Sequence, residues 1–157
     1  MPLIPTDPGV GRIELTAYAD RLHRLQVIEL WNEVFGYETK HNTPTLAIDK
    51  KLALQDGLFF VAVCQGRVVG TCLAGYDGHR GWLYSVAVHP SHRMGGIGAA
   101  LVGRAERELI DRGCMKINLQ IIKANESVAT FYRKLGYDVE ERISMGKRIP
   151  ENITGVH

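Results

Sequence analysis

Arg93-Met94-Gly95-Gly96-Ile97-Gly98 is the stretch on which the reading of this chain turns. Before it stands a strand-like run, residues 82–89, closed by Pro90. After it comes a helical pattern over residues 96–112, with Ile97, Leu101, Ala105 and Leu109 at four-residue spacing and Gly113 as its stop. Glycines strip away side chains, so backbone N–H groups can crowd around a ligand. The first turn of the helix adds unpaired N–H groups and the positive end of its dipole. The result is an anion cradle, with phosphate as its natural guest. A Walker loop would follow its last glycine with Lys and then Ser or Thr, but Ile97-Gly98-Ala99-Ala100 offers neither. A dinucleotide fold would place the loop after its first strand, with an acid about twenty residues later. Here at least three strand-like runs precede the loop, and Asn118 stands where the acid belongs.

Outward from the loop, the pattern predicts a mixed sheet with helices on its faces, in the order β-α-α-β-β-β-α-β-α-β. Residues 12–18 alternate as a first strand. Asp20 is expected to cap a helix with Leu22, Leu25, Ile28, Trp31 and Phe35 on one face, stopped by Gly36. Residues 37–44 read as a loop and residues 45–55 as a second helix. Two apolar runs, 58–64 and 68–75, meet at Gln65-Gly66 and predict a hairpin. A glycine-punctuated turn fills residues 75–81. Beyond the long helix, residues 116–122 predict a strand, and Asn125 is expected to cap a helix carrying Val128, Phe131, Tyr132 and Leu135. Residues 137–148 predict one or two closing strands.

Composition narrows the class. The 157 residues suit one domain, expected to span 1–157 with a core over about 12–148. A chain 45% hydrophobic and 23% charged is neither a disordered tail, a collagen-like rod nor a coiled coil. No apolar run approaches the roughly 20 residues of a membrane helix. No basic segment leads into an apolar core near Met1. A soluble, cytoplasmic protein with no membrane partner is the expectation. Nineteen basic against seventeen acidic residues give a formal charge of +2, too weak for a general nucleic-acid binder. Cys64, Cys72 and Cys114 form no Cys-x-x-Cys pair, so they read as reduced, small apolar residues, and no metal is expected.

The loop and its surroundings resemble the GNAT superfamily of acyl-CoA-dependent N-acetyltransferases. Arg93, Gly96 and Gly98 match that family's Gln/Arg-x-x-Gly-x-Gly/Ala motif. Ser85-Val86-Ala87-Val88-His89-Pro90 looks like its fourth strand and exit. Asn125, Ala129, Phe131-Tyr132 and Leu135-Gly136-Tyr137 look like its later Asn…Tyr…Gly-aromatic segment. The turn over residues 75–81 looks like the bacterial YpeA-type branch. The resemblance implies a GNAT-type mixed, mostly antiparallel sheet with helices on both faces and splayed fourth and fifth strands. It implies acetyl-CoA as cosubstrate, with the pantetheine arm lying in the gap. Val86, Ala87 and Val88 would line that arm, with an N–H near Val86 aimed at the thioester oxygen. Arg93, Met94, Gly95, Gly96, Ile97, Gly98 and Ala99 would wrap the pyrophosphate, and Asn125 and Tyr132 would complete the cofactor site. Arg93 would shape the loop, and the motif leaves open whether its charge also touches phosphate.

By the same resemblance, Tyr132 is the general acid for the departing thiolate, and transfer to a primary amine is direct. On periodicity alone Tyr132 is a buried helix residue. No cysteine stands near it or the loop in sequence, which disfavours a covalent route. Many relatives place a Glu base where this chain has Trp82 or Gln120, and neither of these accepts a proton. Asp77 or His79, Glu33, Tyr84 and a water chain remain candidates. The acceptor is expected to meet Glu33, Tyr37, Asp77 or Tyr84, and a small amine, an amino acid, a peptide N-terminus and lysine all stay open. The missing carboxylate also leaves open a non-catalytic acyl-CoA binding or sensing module. An exposed sheet edge leaves a homodimer open.

Overall fold

Gln65-Gly66 does what a two-residue hairpin turn requires, because both residues take positive φ, 49° and 78°. That backbone twist matches the twist of the strands it joins. Around this hairpin the computed structural model describes residues 3–4, 11–36 and 43–150. The chain falls into two compact units, residues 1–120 and 121–157. In the first unit, β1 (Leu3–Ile4), β2 (Ile13–Ala17), β3 (Phe59–Cys64), β4 (Arg67–Tyr76), β5 (Gly81–Val88) and β6 (Ile117–Leu119) lie side by side in chain order. Every pairing is antiparallel except that of β5 with β6, which is parallel. The short β1 adds a strand at the start, so the expected fourth and fifth strands are β5 and β6.

Helices α1 (Asp20–Phe35) and α2 (Pro44–Ala53) precede β3, and α3 (Ile97–Asp111) links β5 to β6. Successive strand residues point to opposite faces. On β4, Thr71 meets Trp31 of α1, while a Cβ at neighbouring Gly70 would stand 2.9 Å from Leu101 of α3. The helices therefore cover both faces of the sheet. Trp31, Ile48, Val61 and Leu73 build the core on one side, with Phe59 stacked between Tyr18 and Trp31. Ile97, Leu101, Ala105 and Leu109 of α3 are all buried, as their spacing predicts.

Several expectations need correction. The buried face of α1 is His23, Val27, Leu30 and Trp31; Leu22 and Leu25 are 70% and 76% exposed. The true stripe includes a histidine, which an apolar count passes over. Asp20 is not the cap: Ala19 is, and Asp20 instead accepts from Tyr18 Oη and Arg24 Nε. The strand expected over 116–122 shortens to Ile117–Leu119.

In the second unit, Asn125 lies in a 3-10 turn, Lys123–Asn125, and Ser127 is the N-cap residue of α4 (Val128–Lys134). Residues 137–150 form no strand. Their odd-numbered apolar residues Val139, Ile143, Met145 and Ile149 are exposed. Alternation marks a face, but a strand exists only through ladder bonds to a neighbour.

The decisive irregularity is in β5. Thr71 pairs with Ala87, yet two residues on, Leu73 pairs with Tyr84, so Ser85 and Val86 together oppose Cys72. This is a β-bulge, and Ser85 takes φ 48° to make it. The buried Thr71 hydroxyl holds it in place, donating to Ser85 O at 2.8 Å while accepting from Trp31 Nε1 at 2.9 Å. Thr71→Val keeps the shape and deletes both bonds, leaving two buried groups unpaired. It is expected to cost about 2 to 4 kcal/mol, read from urea unfolding.

His23 supplies a pH test. Its Nδ1 accepts from Ala19 N–H at 2.9 Å, and burial holds its pKa below the usual imidazole value. The unfolded chain therefore binds this proton more readily than the folded one. The stability this gives is complete above about pH 6.5, the unfolded value, and is lost as pH falls through the lower folded value. The wild type is expected to lose stability over that window, and His23→Gln to lose less.

Candidate functional site

The bulge interrupts the pairing of β5 with β4 at Ser85 and Val86, and that pairing resumes at Ala87 and Val88; on the other side the neighbour is lost. Parallel pairing with β6 covers only Gly81, Trp82 and Leu83. Beyond Leu83 no strand among the described residues pairs with β5 on that side. Half-buried Val86 and Val88, with buried Ala87 between them, thus lie on an open sheet edge, and an extended ligand can approach their backbone.

The chain then turns through a 3-10 turn, Pro90–His92, into the glycine loop. Arg93 Nε donates to Val88 O at 3.1 Å, which ties the loop to the end of β5. Met94 and Gly96 both take left-handed φ, 68° and 83°. Gly96 is the N-cap of α3, with no capping side chain and no acidic residue in the first turn. A Cβ at Gly96 would meet nothing within 4 Å. The cradle is therefore not plugged by the protein's own side chains. Met94 and Gly95 are exposed at its rim, and Ile97 anchors it by burial while Gly98 and Ala99 are half-buried.

A cleft of about 460 Å³ opens at the other end of β5. Tyr76, Asp77, Trp82 and Tyr84 line it from the β4–β5 turn, and Leu54 and Asp56 from the segment after α2. Asp77 Oδ1 accepts backbone N–H groups of Arg80 and His79, each at 2.7 Å. These bonds, with a further one from Trp82, hold its carboxyl below the usual range. A carboxylate so held is a poor proton acceptor and a good fixed anion. His79 lies at the same turn, its Nδ1 at 3.4 Å from Arg80 Nη1.

Sequence reasoning missed Lys51. This buried lysine donates to Asp56 Oδ2 at 2.8 Å and to Ala74 O, and its Nζ stands 5.3 Å above the Tyr84 ring. A lysine on a short helix reads as a solvated charge, so only the fold reveals its place. The cleft consequently has one carboxylate already neutralised and one not. Glu33, expected near the acceptor, lies 3.1 Å from His89 Nε2, whose Nδ1 accepts from Ser91 N–H. Tyr37 lies outside the described residues, as does His41.

In the second unit, Tyr132 is buried, with its ring edge-on to Phe131 and Tyr137. Asn125 donates its backbone N–H to Ile122 O at 2.7 Å. Among the cysteines, Cys72 opposite the bulge has its thiol pushed up to about 12, mainly by burial, and is inert as a nucleophile.

The chain matches the acetyltransferase (GNAT) family over residues 22–137, a span that takes in parts of both units. It is 43% identical over 128 residues to an acetyltransferase of Sodalis glossinidius (strain morsitans), covering 81% of this chain and 89% of that one. It is 41% identical over 124 residues to an acetyltransferase of Yersinia pestis (strain Pestoides F), covering 79% and 87%. Among solved structures, aminoglycoside N-acetyltransferase AAC(6')-Iy in complex with CoA has the same fold, with a TM-score of 0.72 at 18% identity, covering 90% and 98%. No helix among the described residues is long and apolar enough to cross a membrane.

Proposed function

Because the chain belongs to the GNAT acetyltransferase family, we propose that it transfers the acetyl group of acetyl-CoA directly to a primary amine held in the cleft beside Tyr84 and Asp77. The single observation that carries this reading is the open, uncapped cradle at Gly96, continuous through the Arg93–Val88 bond with the unpaired edge of β5. A diphosphate fits a left-handed turn leading into a bare helix N-terminus, since both aim N–H groups at one point. An amide-bearing arm fits a strand edge that has lost its neighbour.

Acetyl-CoA supplies an activated thioester acyl group. The chain's residues do the rest. Arg93 fixes the loop against β5 and leaves the anion to the backbone N–H groups of residues 94–99. The bulge turns the Val86 backbone out of the ladder, so that its N–H can stabilise negative charge gathering on the acyl oxygen. Tyr132 is the proton donor for the departing sulfur, and Asn125 holds the arm. The reacting nitrogen must be neutral to attack. Asp77 is too weak a base for that proton and acts on the acceptor by charge.

An acceptor screen reading free thiol from acetyl-CoA tests the activity. Amine-dependent thiol release is expected; acetyl-CoA binding without release over a broad amine panel would make the chain a binding module. Gly96→Glu puts a side chain and a negative charge into the cradle and is expected to weaken CoA binding by at least about a hundredfold, measured by calorimetry. Unchanged affinity would remove the loop from the site. Tyr132→Phe is expected to lower kcat about a hundredfold or more with KM for acetyl-CoA little changed, as loss of a general acid does. Equal kcat would remove Tyr132 from the chemistry.

A further inference from the structure

The aromatic cleft carries its charge in the wrong place for a simple amine acceptor. Lys51 neutralises Asp56 at 2.8 Å, and Asp56 Oδ1 also accepts from Leu58 N–H. Asp77 is different. Its carboxylate is set by two backbone N–H groups, and no described Lys or Arg side chain forms an ion pair with it. Arg80, the adjacent cation, rests its guanidinium on the ring and carbonyl of His79 instead. Beside Asp77 stand Trp82 and Tyr84, 37% and 40% exposed; Lys51 Nζ already lies over the Tyr84 ring at 5.3 Å, which leaves the Trp82 indole to meet a further cation. A fixed anion flanked by aromatic rings binds ammonium, and pairing raises the pKa of the nitrogen it holds. Such a nitrogen stays protonated and cannot attack an acyl carbon. The nitrogen bound at Asp77 is therefore not the one acetylated.

Resting on the transfer reading above, we propose that the acceptor is a linear diamine or polyamine. One ammonium is anchored by Asp77 and Trp82, while a second, neutral amine reaches the bulge at Val86. Asp77 lies one residue past the Tyr76–Gly81 rung that closes the β4–β5 ladder. From that rung to Val86, five residues of strand span about 16 Å at 3.3 Å per residue. Subtracting contact distances of about 3 Å at each end leaves a nitrogen-to-nitrogen separation on the order of 10 Å. Extended alkyl chains gain about 1.25 Å per bond, so roughly eight carbons bridge the gap. Tyr84, between the two points, walls the chain.

The test compares linear diamines of two to ten carbons with monoamines of equal length, by thiol release and by calorimetry on the protein without acetyl-CoA. The eight-carbon diamine is expected to exceed its monoamine by at least about tenfold in kcat/KM and in affinity, the difference one charge-assisted bond makes. The two-carbon diamine is expected to show no such gain. Asp77→Asn keeps the acceptor oxygen for both backbone N–H groups and removes the charge, so the diamine-to-monoamine ratio should fall to about one. A ratio near one in the wild type, a ratio that survives Asp77→Asn, or a maximum at two carbons would overturn the proposal. The two readings fail separately. Diamine-selective calorimetric binding with no thiol release from any amine removes the transfer reading and leaves the cation site; thiol release with equal binding of both amine classes does the reverse.

Discussion

One buried hydroxyl governs the architecture. Thr71 Oγ1 accepts a hydrogen bond from Trp31 Nε1 and donates one to Ser85 O, fastening α1 to β4 and β4 to the bulge in β5. Buried polar groups must be paired, and here each of the three has its partner inside the protein. The bond to Ser85 keeps that residue at a positive φ it would otherwise avoid. With the bulge held, β5 leaves its ladder with β4 at Ser85 and Val86 and rejoins it at Ala87, while β6 follows β5 only as far as Leu83. The open edge is thus a consequence of core packing.

The same strand then organises two ends of opposite electrostatic character. At its exit, Arg93 closes on Val88 O and the backbone turns through Met94 and Gly96 into α3, gathering N–H groups and positive potential. At its entrance, the turn before Gly81 gathers Asp77 and three aromatic rings. Lys51 sets the asymmetry by cancelling Asp56 and leaving Asp77 charged. Under the proposed reading, a donor rich in phosphate and an acceptor rich in ammonium are drawn to opposite ends of β5. The point between them is the bulge. No side chain has to move for this ordering; it follows from which carboxylate has a buried cation beside it.

Local chemistry was legible in the sequence, and long-range chemistry was not. Gln65-Gly66, the α3 stripe and the glycine loop announce themselves through turn residues and spacing, and each forms as read. The α1 face was misread because His23 belongs to the buried stripe, where it accepts a backbone N–H, while Leu22 and Leu25 face outward. The bulge depends on residues 31, 71 and 85 meeting, which no local pattern encodes. Lys51 is a similar case, a charge buried by partners at 56 and 74. Residues 137–148 show the reverse error: alternation was present, but no ladder formed. Asp77 is one of several candidate bases in the sequence, and only the N–H groups of His79 and Arg80 hold its carboxyl below the usual range.

Amide hydrogen exchange with and without CoA addresses the central claim most directly, because it reads backbone N–H groups one by one. If β5 and the α3 cradle hold the donor, CoA should slow exchange at residues 96–99 and 86–88 together and leave the β2–β3 ladder unchanged. Binding of CoA with no protection at either segment, or with protection confined to another surface, would contradict the account.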